Sequence, residues 1–149
     1  MQLSENRFFT IDIHTHIIPS DLPQWKKKFG YGEFITLEHH KPCCANMMMD
    51  GEFFREIESN CWDPEARLKE CGHHHVDVQV ISTIPVMFSY WAEPKHTLEI
   101  SKYLNDHIAE VCNLFPKRFV GLGTLPMQHA DMAIKELRRC KEIGLKGIQ

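Results

Sequence analysis

The apolar residues of this chain recur with two different periods, and the changes of period predict strands that alternate with helices. Residues 8–13 alternate around two isoleucines, which is typical of a short buried strand. Residues 76–81 alternate and are rich in β-branched side chains, so they predict a second strand. Residues 119–125 predict a third strand, and residues 147–149 begin a fourth.

Three helices are predicted between these strands. The first begins at Asp63, whose side chain can cap the helix, and ends near Gly72. The second begins at Pro94. Its apolar face is formed by residues at helical spacing: Ile100, Leu104, Ile108, Val111 and Phe115. The third covers residues 130–143 and ends at Gly144. Its apolar face is predicted to contain Ala133, Leu137 and Cys140.

Residues 19–62 interrupt this alternation, and their composition differs from that of the rest of the chain. They contain several residues that break regular structure: Gly30, Gly32, Pro42 and Gly51. Short apolar pieces at residues 34–37 and 52–54 indicate that a loop-rich insertion follows the first strand. We expect this insertion to contain a small hairpin.

The order of the elements predicts an α/β fold with a parallel sheet and helical crossovers. A doubly wound sheet and a (β/α)8 barrel both fit this order. The chain ends at Gln149, just as a strand begins. We therefore expect residues 1–149 to be a truncated part of one α/β domain.

Composition and charge argue against several classes of protein. The 149 residues are 43% apolar and carry a net charge of −3, which argues against a nucleic-acid partner. The basic run at residues 26–28 is typical of a solvated face. No stretch has the ~20 apolar residues that span a bilayer, and residues 1–9 lack the apolar run of a signal peptide. We therefore expect a cytosolic protein with reduced cysteines and no membrane partner.

Candidate metal ligands stand at the end of the first predicted strand, in His14-Thr15-His16. In a strand, residues two apart point to the same face with Cα atoms about 6.6 Å apart, so two imidazoles can converge on one zinc ion. Parallel α/β folds also place their active sites at the carboxyl ends of strands. With 10 histidines in the chain, the spacing alone is a weak signal, and a polar strand end without metal is the alternative.

Two other groups offer weaker metal-binding patterns. Residues 73–75 contain a second His-x-His spacing, but at a predicted helix end, where solvated histidines are the usual interpretation. His39 and His40 form a conceivable cluster with Cys43 and Cys44. Adjacent side chains diverge, however, and zinc-binding cysteines are usually separated by roughly two to four residues.

Arg55 is the candidate for binding a carboxylate, because a guanidinium beside two phenylalanines suits bidentate binding of a planar acid. The alternative is a surface arginine paired with Glu52 or Glu58. The aromatic residues 87–91 follow the second strand, and they either line a pocket for a planar substrate or pack in the core. Cys61 has no histidine at a telling spacing, so a cysteine nucleophile is not expected.

Longer segments resemble a known family. Residues 11–19, Ile-Asp-Ile-His-Thr-His-Ile-Ile-Pro, resemble the metal motif that opens decarboxylases of the amidohydrolase superfamily. Further segments are similar to one branch of these enzymes: residues 29–32, 60–64, 85–92 and 118–128. That branch removes carbon dioxide from an aminocarboxymuconate semialdehyde in the kynurenine pathway of tryptophan breakdown. The resemblance runs from about residue 9 to residue 149 and corresponds to less than half of the family's chain.

The resemblance implies that residues 1–149 are the N-terminal portion of a metal-dependent (β/α)8 TIM barrel, with the insertion at about 19–62 after its first strand. It implies a single zinc ion on His14 and His16, with a further histidine and an aspartate from later strands. It places Arg55 on a substrate carboxylate. The family's catalytic histidine, and an arginine from the partner subunit of a homodimer, lie beyond Gln149, so residues 1–149 alone are expected to be inactive.

The implied activity is the zinc-dependent, non-oxidative decarboxylation of 2-amino-3-carboxymuconate 6-semialdehyde to 2-aminomuconate 6-semialdehyde, which diverts flux from quinolinate and NAD synthesis. Two alternatives stay open. The same metal motif opens hydrolases of the superfamily, and a truncated product could associate with the full protein without catalysis. The sequence departs from the family at Met49, where relatives have lysine. The segment of residues 42–48 also differs from that of relatives and is longer.

Overall fold

The computed structural model describes residues 8–149, which form two β-sheets and four α-helices. In chain order the elements are β1 (Ile11–His16), α1 (Trp25–Phe29), β2 (Ile35–Lys41), β3 (Cys44–Met49), β4 (Glu52–Glu58), α2 (Pro64–His73), β5 (Val78–Ser82), α3 (Pro94–Leu114), β6 (Phe119–Gly123), α4 (Ala130–Glu142) and β7 (Gly147–Ile148). Four strands form a parallel sheet in the order β1-β5-β6-β7. The helical crossovers between these strands confirm the predicted α/β fold.

The three predicted helices are confirmed, together with the residues predicted to start and end them. The Asp63 carboxylate accepts the backbone N–H of Glu65 at 2.8 Å and so caps α2. Pro94 is the first residue of α3, where its missing N–H costs nothing. Gly144, with φ +99°, turns the chain just after α4. None of the helices within residues 8–149 has both the length and the apolar character needed to cross a membrane.

The prediction that the first strand is buried is wrong. Ile11 and Ile13 are 50% and 75% exposed, and the strand lies over Ile11–His16 rather than residues 8–13. The reason is topological, because β1 is an edge strand of the parallel sheet among the described residues and pairs only with β5. Its outer edge therefore leaves apolar side chains and backbone groups without a neighbouring strand.

The insertion is more regular than the predicted loop with a small hairpin. It contains α1 and a three-stranded antiparallel sheet in the order β2-β3-β4. The turn between β3 and β4 consists of Asp50 and Gly51, which both have positive φ, at 52° and 84°. An Asp-Gly pair favours this two-residue hairpin turn, because both residues tolerate the left-handed backbone. β4 places Arg55 opposite Met47 of β3.

Two groups of buried apolar side chains form the core. One lies between the parallel sheet and helices α3 and α4, and contains Ile81, Ile108, Phe119, Ala133 and Cys140. The other joins the insertion to α3 and contains Trp25, Phe34, Met47, Ile100 and Leu104. Ile17 and Ile18, which directly follow β1, are each 1% exposed and pack into the first and the second group respectively. Burying each contributes about 1.5–3 kcal/mol, which fixes the chain just after the two histidines.

The predicted apolar face of α4 is wrong at one position. Leu137 is 47% exposed, while its neighbour Glu136 is buried. Glu136 can be buried because its carboxylate accepts from the side chains of Asn105 and Arg139, both at 2.8 Å. Cys140 lies against this carboxylate, and burial together with its charge raises the pKa of the thiol to about 12. α4 therefore packs through a polar network as well as through apolar side chains.

Candidate metal and substrate site

β1 contains a β-bulge that aims the two histidines. The pairing with β5 moves by one residue between Asp12 and Thr15, so that two residues of β1 lie opposite one residue of β5. Such a bulge changes which face each later side chain points to. His14 and His16 lie together, with ring centroids 5.1 Å apart and ring planes at 89°. The structure thus brings the predicted pair together, and their role as metal ligands stays a prediction.

The Asp12 carboxylate supports the bulge. Its Oδ1 accepts the backbone N–H of His14 at 3.3 Å, and its Oδ2 accepts the side-chain amide of Gln79 at 3.2 Å. Both carboxylate oxygens are therefore engaged in holding the strand. Within residues 8–149, no group of three His, Cys, Asp or Glu side chains is arranged to hold a metal ion.

His16 is half-buried and held from two sides. Its Nδ1 lies 3.2 Å from the Ser82 hydroxyl, and its backbone carbonyl accepts from Arg67 Nη2 at 2.5 Å. Burial lowers the pKa of His16 and repulsion from His14 and Arg67 lowers it further, against a hydrogen bond to the Thr83 backbone that raises it. The neutral imidazole, which is the form that binds a metal, is therefore favoured over the charged form.

A cavity of about 390 Å³ is lined by residues of both the parallel-sheet region and the insertion. His16 and Arg55 are two of its polar lining residues, while most of its wall is apolar: Ile17, Ile18, Met47, Phe54, Ile57, Ile84, Pro85 and Val86. Both histidines line an adjoining cavity of about 450 Å³, beside Arg67. His16 thus contacts both spaces. A small acid in the first cavity would meet a guanidinium on one side and an imidazole on the other.

Arg55 is exposed on β4 and forms neither an ion pair nor a side-chain hydrogen bond with any residue from 8 to 149. The alternative interpretation, a surface pair with Glu52 or Glu58, is not observed. A guanidinium without a carboxylate partner, at the edge of an apolar cavity, retains its full capacity to bind an anion.

The aromatic segment at residues 87–91 divides between core and surface. Met87 is buried, whereas Trp91 is half-exposed and packs against Phe34 with ring centroids 4.8 Å apart. Residues 88–91 line a neighbouring cavity of about 400 Å³, which Met49 also lines. Only the preceding residues, Pro85 and Val86, line both this cavity and the one that contains Arg55.

The other candidate groups do not converge. His39 Nε2 contacts the Ser20 carbonyl at 2.7 Å, and His40 lies 3.9 Å from Glu56, so neither joins Cys43 and Cys44 in one cluster. Residues 73–75 are exposed at the end of α2. Cys61 lines both cavities, and burial raises the pKa of its thiol, which disfavours the thiolate that a nucleophile requires. All six cysteines are free.

Two residues that support the site were not predicted. Arg67 on α2 is 9% exposed and also donates to the Gln79 amide at 3.3 Å, without a carboxylate in ion-pair range among the described residues. Burial lowers its pKa. Ser82 is the last residue of β5, directly opposite His16. The only sequence signals were an arginine in the first turn of a capped helix and a serine at a strand end.

Comparison with known proteins identifies the family of this chain. The profile of the amidohydrolase family matches residues 11–149. A 2-amino-3-carboxymuconate-6-semialdehyde decarboxylase of Dictyostelium discoideum is 57% identical over 144 residues, 96% of this chain and 40% of the relative. The Caenorhabditis elegans protein of the same name is 37% identical over 159 residues, 93% of this chain and 40% of the relative. The chain thus spans about 40% of the length of these curated relatives.

Solved structures give the same result for the fold. A dihydroxybenzoic acid decarboxylase of Polaromonas, solved with manganese and 2-nitroresorcinol, has a TM-score of 0.65 at 22% identity and covers 94% of this chain and 37% of its own. A 5-carboxyvanillate decarboxylase of Novosphingobium aromaticivorans, solved with manganese and a nitrobenzoic acid, has a TM-score of 0.57 at 25% identity and covers 61% and 26%. From the family match and the identities to its relatives, this chain belongs to the amidohydrolase family.

Proposed function

We propose that this chain forms the metal-binding and carboxylate-binding start of a decarboxylase that acts on 2-amino-3-carboxymuconate 6-semialdehyde. The observation that carries the proposal is that one largely apolar cavity is lined by His16 and by Arg55, which has no ion-pair partner among residues 8–149. The names of the relatives at 57% and 37% identity support the substrate. The reaction releases carbon dioxide and 2-aminomuconate 6-semialdehyde without an oxidant, in the kynurenine pathway.

The residues present fit a zinc ion, which we propose as the metal. His14 and His16 would hold it, because the rings lie together and burial keeps the His16 imidazole neutral. The manganese bound to the Novosphingobium neighbour supports a divalent metal in this family. When bound, such a metal lowers the pKa of coordinated water and supplies hydroxide near neutral pH. A histidine and an aspartate from later strands of the barrel would complete the ligands.

Arg55 would bind one substrate carboxylate through two parallel hydrogen bonds. Binding there places the substrate beside His16 and so fixes the orientation of the reacting carbon. A bound substrate would cover part of the apolar wall, including Met47 and Phe54, and the loss of water there would strengthen the charge pairing between the guanidinium and the carboxylate. We also propose a cytosolic homodimer, in which the partner subunit supplies a second arginine.

The test is an assay of the protein that carries the complete barrel. With 2-amino-3-carboxymuconate 6-semialdehyde, we expect equimolar carbon dioxide and 2-aminomuconate 6-semialdehyde, and about one zinc per subunit by elemental analysis. Hydrolysis of amide substrates without carbon dioxide release would instead support a hydrolase. Polypeptide 1–149 by itself should show no turnover with added zinc, because the residues from 8 to 149 contain no three-ligand cluster. Turnover by a soluble polypeptide 1–149 would contradict this expectation.

A further inference from the structure

Ser82 connects the ring of His16 to the backbone of β1. It is 5% exposed, and the strand register places it directly opposite His16. Its hydroxyl oxygen lies 3.2 Å from His16 Nδ1 and 3.2 Å from the Thr15 carbonyl oxygen. The Ser82 backbone is itself fixed, since its carbonyl accepts the N–H of Ile17 at 2.9 Å. The hydroxyl is therefore held in place on both strands.

The two contacts fix the direction of the hydrogen bonds. A hydroxyl has a single proton, and the Thr15 carbonyl can only accept, so Ser82 donates to Thr15. With the Ser82 proton directed to Thr15, the hydroxyl accepts and the neutral His16 ring donates from Nδ1, while the Thr83 backbone is a second hydrogen-bond partner of the ring. The opposite arrangement, with Ser82 donating to Nδ1, would abandon the Thr15 contact. In the favoured arrangement, Nε2 carries no proton.

We propose that Ser82 is a positioning residue that holds His16 in the Nδ1–H tautomer and presents the lone pair of Nε2 to the metal. The inference rests on the proposed metal-binding role of His16. A histidine ligand commonly donates its second ring N–H to an oxygen, which fixes both tautomer and ring orientation. Arg67, which donates to the His16 carbonyl, holds the backbone of the same residue. Ring and backbone are thus restrained by different elements, β5 and α2.

The test compares Ser82→Ala with Ser82→Thr, which keeps the hydroxyl. Ser101→Ala is the matched control, because Ser101 is also buried but lies on α3. The first readout is the tautomer of His16 in the metal-free protein, from long-range nitrogen–proton NMR correlations assigned with a His16→Ala sample. The second is zinc affinity by competition with a chelator, and thermal unfolding reports whether each variant folds.

We expect the Nδ1–H tautomer in the wild-type protein, a mixture in Ser82→Ala, and a roughly 10- to 100-fold loss of zinc affinity that Ser82→Thr restores. Ser101→Ala should change neither readout. An Nε2–H tautomer in the metal-free wild-type protein would overturn the proposal, even if Ser82→Ala failed to fold. So would an unchanged tautomer and zinc affinity in a folded Ser82→Ala. Failure of the wild-type protein to bind zinc at all would contradict the proposed function, while the tautomer would still report on Ser82.

Discussion

The parallel sheet and the antiparallel insertion contribute to the same cavity in opposite ways. On the parallel sheet, His16 is half-buried and its ring and backbone are both hydrogen-bonded. On the insertion, Arg55 is exposed and has no partner among the described residues. The parallel sheet thus fixes the orientation of the His16 imidazole before any ligand binds. The insertion presents the Arg55 guanidinium without an internal partner among the described residues.

The difference has a physical reason. A metal ligand must present one lone pair in one direction, so its orientation is best fixed by neighbouring groups before binding. A guanidinium that binds a carboxylate must instead be available, because a competing internal carboxylate would have to be displaced first. Leaving Arg55 solvated costs little, and in the proposed function its side chain becomes ordered only when a substrate binds. Substitutions in the two regions should therefore affect different measurements.

The largest expected effect follows from removing both imidazoles. His14→Ala/His16→Ala should bring the zinc content of the protein with the complete barrel close to zero, because the remaining ligands cannot hold the ion alone. Decarboxylation should fall by roughly a thousandfold or more, since metal activation of water is worth several kcal/mol. Elemental analysis of a folded variant is the measurement. Stoichiometric zinc in that variant would remove both histidines from the metal site.

Replacement of Arg55 by alanine should reduce kcat/KM while leaving the zinc content unchanged. The expected loss of transition-state binding is roughly 2–5 kcal/mol, provided that the guanidinium pairs with a substrate carboxylate in a desolvated cavity. Arg138→Ala on α4 is the matched control, because Arg138 is also exposed but lies far along the chain from the cavity. Equal kinetics for wild type and Arg55→Ala would make Arg55 an ordinary surface residue.

The sequence predicted the parallel part of the fold better than the insertion, for reasons visible in particular residues. β5, α3 and β6 follow from regular apolar periodicity. β3 consists largely of Ala45-Asn46-Met47-Met48-Met49, which has little β-propensity, and is stabilised by pairing with strands on both sides. The sequence signal for its hairpin is the Asp50-Gly51 pair, in which both residues have positive φ.

The sequence identified His14, His16 and Arg55 as candidates, but not the residues that support them. The two histidines stood out by their spacing at a predicted strand end and Arg55 by its two phenylalanine neighbours, and His16 and Arg55 line one cavity. The bulge in β1 leaves no mark in the alternation of apolar residues. Arg67 and Ser82 matter only through tertiary contacts, which a local sequence pattern does not contain.

A smaller effect is expected from replacing Arg67, which holds the backbone of His16 at the end of β1. Arg67→Ala leaves the His16 carbonyl and the Gln79 amide without their donor, so the free energy of unfolding should fall by about 1–3 kcal/mol. Zinc affinity should also fall, whereas the substrate KM should change little. Urea unfolding and chelator competition measure the two effects. Arg67→Lys should recover only part of the loss, because an ammonium cannot reproduce the planar set of donors.

The smallest effect concerns His107 on α3, which hydrogen-bonds the backbone of Ile18 in the segment just after β1. Its Nε2 is buried without a partner among residues 8–149, and burial lowers the pKa of the ring below 6.5. A lowered folded-state pKa means that the unfolded chain binds the proton more tightly. The stability that neutral His107 contributes is therefore present above pH 6.5 and is lost as the pH falls through the folded-state pKa.

His107→Gln isolates this contribution, because a glutamine amide can donate to Ile18 but does not titrate. Urea unfolding at a series of pH values below 6.5 should give a shallower loss of stability for His107→Gln than for the wild type. One proton limits the difference in slope to roughly 1.4 kcal/mol per pH unit. His16 also has a lowered pKa and titrates in both proteins, so it cancels in the comparison. Identical slopes would mean that His107 is accessible to protons without opening the contact between α3 and the segment after β1.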